Sequence, residues 1–143
     1  MDNAAKIFPA SLDSLEPIRD YVSKRCEVLG FNKKKTYGLC LAIDEIATNI
    51  INYGYPKAGI GLGIIEVHMA DDARQLTVTL IDTAVAFDPL AHLVPNQDDM
   101  NKPLEDRPIG GLGILLARQN VDEFRYERRG DQNCNVFVVN VSS

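Results

Sequence analysis

Apolar residues recur at Leu39, Ile43, Ile46 and Ile50, which is the period of a helix with one core-facing stripe. At about 100° per residue, Glu45, Asn49 and Asn52 gather on a second face beside that stripe. The pattern predicts a helix from the Phe31–Lys35 stretch to about Asn52, broken by Tyr53-Gly54-Tyr55-Pro56. Upstream, Leu12, Leu15, Ile18, Val22, Cys26 and Leu29 also follow helical spacing. Ser11 or Ser14 offers the cap and Gly30 the stop. Ile7 to Ala10 reads as a short first strand.

Downstream the period changes. Ile64 to Ala70 partly alternates, and Gln75 to Asp82 alternates cleanly, with Leu76, Val78 and Leu80 on one side. Asp71-Asp72-Ala73 is a turn, so these two strands are expected to pair as a hairpin. Residues 114–121 read as a helix, 123–129 as a strand, Gly130-Asp131 as a turn and 135–141 as a last strand. The order β-α-α-β-β-loop-α-β-β predicts one α+β domain over residues 1–143. Its architecture is a two-layer sandwich, with a mixed, mostly antiparallel sheet and helices on one face. Between the hairpins, four prolines and a polar run mark a loop at about residues 89–109. A loop of that length in a small domain is commonly a lid or a binding segment.

Composition narrows the function. A length of 143 residues suits one domain with a real core. The formal net charge of −5 argues against a dedicated nucleic-acid binder, which needs a basic footprint. No apolar run approaches the roughly 20 residues that span a bilayer, and no signal peptide is visible. The expected setting is cytoplasmic. Cys26, Cys40 and Cys134 show no paired spacing and read as buried, inert thiols. His68 and His92 stand in no triad or metal spacing. The three lysines Lys33–Lys35 read as a solvated helix start, with contact to an acidic partner as the alternative.

Three short segments carry candidate chemistry. Glu45, Asn49 and Asn52 set a carboxylate and two carboxamides at a core margin. Oxygen donors of this kind suit Mg²⁺ bridged to phosphates. Asp82 ends a strand, where its carboxylate can accept from an exocyclic amine such as that of adenine. The small Ala84 and Ala86 let a flat ring approach. Gly110-Gly111-Leu112-Gly113 opens a helix, and free N–H groups in a first turn favour phosphate. It is neither a P-loop nor a dinucleotide fingerprint.

Together and in this order, the segments are more specific than any one alone. Glu45-Ile-Ala-Thr-Asn49 resembles the N box of the Bergerat-fold (histidine-kinase-like) ATPases. Asp82-Thr-Ala-Val-Ala-Phe-Asp-Pro89 and Arg107-Pro-Ile-Gly-Gly-Leu-Gly-Ile114 resemble their two glycine boxes. Within that superfamily the chain is most similar to the small stand-alone anti-sigma factor serine/threonine kinases of bacteria. The likeness extends from about Phe8 to Val141. It implies an ATP-dependent kinase with Mg²⁺, with Asn49 as the metal ligand and Glu45 as the general base. It implies Asp82 as the adenine-amine acceptor and Gly110, Gly111 and Gly113 as lid glycines around the phosphates. Asn52 and Asn135 are implied near the nucleotide. The implied partners are a STAS-type antagonist protein and an RNA polymerase sigma factor, with no nucleic acid and no membrane, and the implied assembly is a homodimer.

One position departs from the pattern. Ala84 stands where the family commonly has glycine. Alanine costs little there if φ is negative and of order 1 kcal/mol if it is positive. The departure favours an alternative: a non-catalytic module that binds a sigma factor or other regulator with weak or no nucleotide binding. A histidine-kinase catalytic domain is a further rival, but no phospho-acceptor helix is expected before Ile7.

Overall fold

Strand alternation and helical stripes meet in a single core. The computed structural model describes residues 2–89, 115 and 117–141. Strand β1 (Asp2–Pro9) precedes helices α1 (Leu15–Val28) and α2 (Lys33–Asn49). Strands β2 (Ile64–Asp71), β3 (Gln75–Asp82), β4 (Glu123–Arg129) and β5 (Gln132–Asn140) follow. The sheet order is β1-β2-β3-β5-β4. Every pairing among these strands is antiparallel, so the described sheet has no parallel component.

Each element buries the residues its period selects. On β3, Leu76, Val78, Leu80 and then Asp82 are buried, alternating with half-buried neighbours. On α1 the buried positions are Ile18, Val22 and Cys26. On α2 they include Leu39, Ile43 and Ile46. With Phe8, Ile65, Val67, Phe124, Phe137 and Val139 they form one cluster between helices and sheet. Non-directional burial of apolar area is the main favourable term in such a core. All three cysteines are free and buried. Burial pushes the Cys26 thiol up to about 11, so it stays protonated and unreactive at neutral pH.

Local chemistry explains the boundaries. Ser11, rather than Ser14, caps the entry: its Oγ accepts from the Asp13 N–H at 3.2 Å at the start of a 3₁₀ turn leading into α1. The Asn32 side chain caps α2 by accepting from the Lys35 N–H at 2.8 Å. At the β2–β3 turn, Asp72 Oδ1 accepts from the N–H groups of Arg74 (2.7 Å) and Gln75 (3.0 Å). Gly130, at φ 58°, turns β4 into β5 with Arg129 opposite Gln132.

Several boundaries differ from expectation. Strand β1 begins at Asp2, because pairing with β2 runs from Asp2↔Asp71 to Pro9↔Ile64. Strand β5 begins at Gln132, three residues before Asn135. The helix does not break at Tyr53–Pro56. It widens into a π turn over Ile50–Gly54 and then closes one α turn, Tyr55–Lys57. The Tyr55 N–H reaches back five residues to the Ile50 carbonyl, and Pro56 sits in the first turn of the resumed helix, where its missing N–H is harmless. The expected lid beyond Pro89, with Gly110, Gly111 and Gly113, lies outside the described residues. Of the expected helix 114–121, residues 115 and 117–121 are described: 115 and 117–119 are helical, whereas Asn120 and Val121 lie past the helix end.

Candidate active site

Asp82 continues the buried stripe of β3 but is a carboxylate, only 2% exposed. It faces the start of β5, paired with Asn133 in the register. On β5 the stripe Asn133, Asn135, Phe137, Val139 also turns polar at the adjoining end: two polar residues, then two apolar ones, all buried. Asn49 flanks the apolar stripe at the end of α2. Polar residues thus replace apolar ones at one end of the core.

They line a common cavity of about 170 Å³ with Ile46, Ile50, Ala84, Phe87 and Pro89. Among the described residues, Asp82 Oδ2, Asn135 Oδ1 and Asn49 Nδ2 are buried without a hydrogen-bond partner. Each such atom costs about 1–3 kcal/mol. Three of them around one cavity mark a place built for a polar ligand rather than for stability. Asp82 Oδ1, by contrast, accepts from the Ala84 N–H at 2.9 Å and from Asn133 Nδ2 at 2.8 Å.

Burial raises the Asp82 carboxyl above its ordinary value, against the opposing hydrogen bonds from Asn133 and Ala84 and the charge of Arg128. The native state therefore holds this proton more tightly than the unfolded chain. That stabilises the fold at low pH and is lost as pH rises from about 3.9 through the native value. Asp82→Asn, which cannot ionise, is expected to gain on the parent across that window, at a limiting slope of about 1.4 kcal/mol per pH unit for one proton. Urea melts of both proteins from pH 4 to 8 measure the gap, and a gap constant with pH contradicts the burial argument.

The neighbours of Asp82 are tightly packed. A Cβ on Gly54 would meet the Ala84 Cβ at 3.0 Å, so the bare π turn makes room for the Ala84 methyl. The Gly54 carbonyl accepts from the Val85 N–H at 3.3 Å. No non-glycine residue among those described has positive φ, so Ala84 carries no left-handed strain. Its methyl lines the cavity. The Tyr55 hydroxyl donates to the Ile64 carbonyl and accepts from the Thr83 N–H at 3.1 Å, tying the strand end to the π turn.

The expected residues do not all meet. Asn49, Asp82, Ala84 and Asn135 line the cavity. Glu45 stands one turn before Asn49 on α2, half-buried, outside the lining. Asn52 is exposed and also outside it. The reason is the π turn: reaching back five residues, it advances less than 100° per residue and rotates Asn52 off the Asn49 edge. Tyr53, Gly54 and Lys57 line the cavity instead. Asn133, Tyr53 and Lys57 carry no signal in the linear pattern. The β3–β5 register identifies Asn133, and the π turn identifies the other two. Among the described residues, no group of three or more His, Cys, Asp or Glu could hold a metal ion. A magnesium shared with phosphates needs only one or two protein oxygens, which the Asn49 carboxamide is able to supply.

Residues 8–139 match the family described as Histidine kinase-like ATPase domain. The chain belongs to that family. This histidine kinase-like ATPase domain is 28% identical over 117 residues to Serine-protein kinase RsbW of Halalkalibacterium halodurans, covering 80% of this chain and 69% of the relative. It is 29% identical over 120 residues to Serine-protein kinase RsbW of Bacillus cereus, covering 82% and 72%. Among solved structures, it superposes with a TM-score of 0.65 on the RsbU and RsbW domains of Rv1364c from Mycobacterium tuberculosis. That match is 15% identical and covers 97% of this chain and 32% of the solved one; it speaks to fold. No helix among the described residues is long and apolar enough to cross a membrane.

Proposed function

We propose that this domain is an ATP-dependent serine/threonine protein kinase that acts as an anti-sigma factor and phosphorylates a STAS-type antagonist protein in the cytoplasm, as a homodimer. The observation that carries the reading is that Asp82 and Asn135, whose Oδ2 and Oδ1 are buried without a partner, line one cavity of this family's fold. Two buried acceptors without donors match an aromatic ring bearing an exocyclic amine. Apolar Ile46, Ile50 and Phe87 match its faces. The names of the relatives support protein-serine phosphorylation.

Each residue has a role under this reading. Asp82 accepts the adenine amine, and Asn135 supports it. The Asn49 carboxamide oxygen binds Mg²⁺, whose chemistry is to neutralise charge on the phosphates. Gly110, Gly111 and Gly113, which lie outside the described residues, are the glycines this reading assigns to the phosphates. Lys57 at the cavity rim adds positive charge. Glu45 takes the proton of the acceptor hydroxyl as that oxygen bonds to the γ-phosphorus and ADP leaves. Positioning and electrostatics supply most of the rate in such transfers.

The Ala84 methyl in the cavity favours the second reading, a regulator-binding module without transfer. One experiment separates the two. Mg·ATP is titrated calorimetrically into the protein, and γ-labelled ATP is then supplied with candidate STAS-type proteins. The kinase reading expects saturable heat and label on a serine or threonine of the antagonist. Absence of both heat and a thermal shift overturns it in favour of the binding module.

A further inference from the structure

We infer that Asn133 is a positioning residue that holds Asp82 so that one bare carboxylate oxygen reads the base, and that it thereby sets the preference for an amine over a keto group. The inference rests on the nucleotide reading above and adds a residue and a selectivity to it.

Asn133 is 3% exposed and sits at the centre of a polar network. Its Nδ2 donates to Asp82 Oδ1 at 2.8 Å and to the Val85 carbonyl at 3.0 Å, with a longer contact of 3.4 Å to the Ala84 carbonyl. Its Oδ1 accepts from the Tyr126 hydroxyl and from Arg128 Nη1 at 3.2 Å. The orientation of the amide follows from its surroundings. Flipped, it would set an oxygen against one carboxylate and two carbonyls, and an N–H against a guanidinium. The side chain therefore has one satisfactory pose, and β5 carries it directly opposite Asp82.

Two consequences follow for Asp82. Asn133 and the Ala84 N–H occupy Oδ1, which fixes the carboxylate plane and leaves Oδ2 without a donor. The positive charge of Arg128 reaches Asp82 through Asn133 rather than by direct contact. Arg128 Nη1 lies on Asn133 Oδ1 and, at 3.3 Å, on the Ala84 carbonyl. A guanidinium paired directly with the carboxylate would compete for the oxygen that a ligand needs. With the charge one residue removed, the acceptor stays available. An adenine amine donates to such an oxygen, whereas a hypoxanthine keto oxygen meets it as a second acceptor and is rejected.

Calorimetric titrations with Mg·ATP and Mg·ITP test this on the parent, Asn133→Ala, Tyr126→Phe and Asp82→Asn. The parent is expected to prefer ATP over ITP by at least about 10-fold. Asn133→Ala is expected to lose most of that ratio, with ATP weakened and ITP nearly unchanged. Tyr126→Phe is expected to lose part of it. In an Asp82→Asn background, Asn133→Ala is expected to leave the ratio unmoved, because the residue acts through Asp82. A purely structural role would weaken both nucleotides in parallel, and that result overturns the inference, as does an unchanged ratio in Asn133→Ala. If Asn133→Ala lacks a cooperative melt, Tyr126→Phe decides: an unchanged ratio there overturns it. A parent that binds neither nucleotide sinks the nucleotide reading itself. A parent whose ATP preference depends on Asp82 but not on Asn133 sinks only this inference.

Discussion

Glu45→Gln is expected to bind Mg·ATP as the parent does and to transfer phosphate about 10²–10⁴-fold more slowly. Glu45 lies one turn before Asn49 on α2 and outside the lining of the base cavity. Its substitution therefore leaves the acceptors on β3 and β5 untouched. Glutamine keeps the size and hydrogen-bonding reach of the side chain but cannot take a proton at neutral pH. The loss belongs in kcat with the affinity for ATP unchanged, which is the pattern of an interaction made only during transfer. Single-turnover label transfer beside calorimetric titration separates these terms. Full-rate transfer by Glu45→Gln would remove the residue from the mechanism.

Asn49→Ala carries the second large effect. ATP affinity in the presence of Mg²⁺ is expected to fall by about 10–100-fold, the loss of one charge-assisted contact. Affinity in excess chelator is expected to stay near the parent's, since the base acceptors remain. Stability should move the other way. Asn49 Nδ2 is buried without a protein partner among the described residues, so deleting it removes a desolvated donor and breaks no hydrogen bond of that atom. Thermal melts without ligand are therefore expected to show no loss. A variant that melts well below the parent while keeping its Mg²⁺-dependent affinity would assign Asn49 to the fold instead.

The bare polar atoms connect these outcomes. A core end that places Asp82, Asn135 and Asn49 around a cavity gives up some stability in the free protein. A ligand that supplies the missing partners returns it by mass action. The same logic explains the pH dependence expected at Asp82, where burial works against the charge that the nucleotide reading requires.

The local pattern by itself determined the parts governed by period. The stripe Leu39, Ile43, Ile46, Ile50 and the alternation Leu76, Val78, Leu80 assigned helix, strand and inward face, and with them the α+β layering. The motif order around Glu45, Asn49 and Asp82 was equally legible, because each motif is contiguous in the chain. Polarity misleads at the start of β5: Asn133 reads as loop because a buried asparagine in a core stripe has no local explanation.

What only the tertiary structure decided was which distant residues meet. The β3–β5 register set Asn133 against Asp82 across 51 positions. The π turn replaced Asn52 by Tyr53, Gly54 and Lys57, and the missing Cβ of Gly54 accommodated the methyl of Ala84. Periodicity reports the direction of a side chain relative to its own element. Partners across a cavity depend on register and helix phase, which packing of the whole core selects.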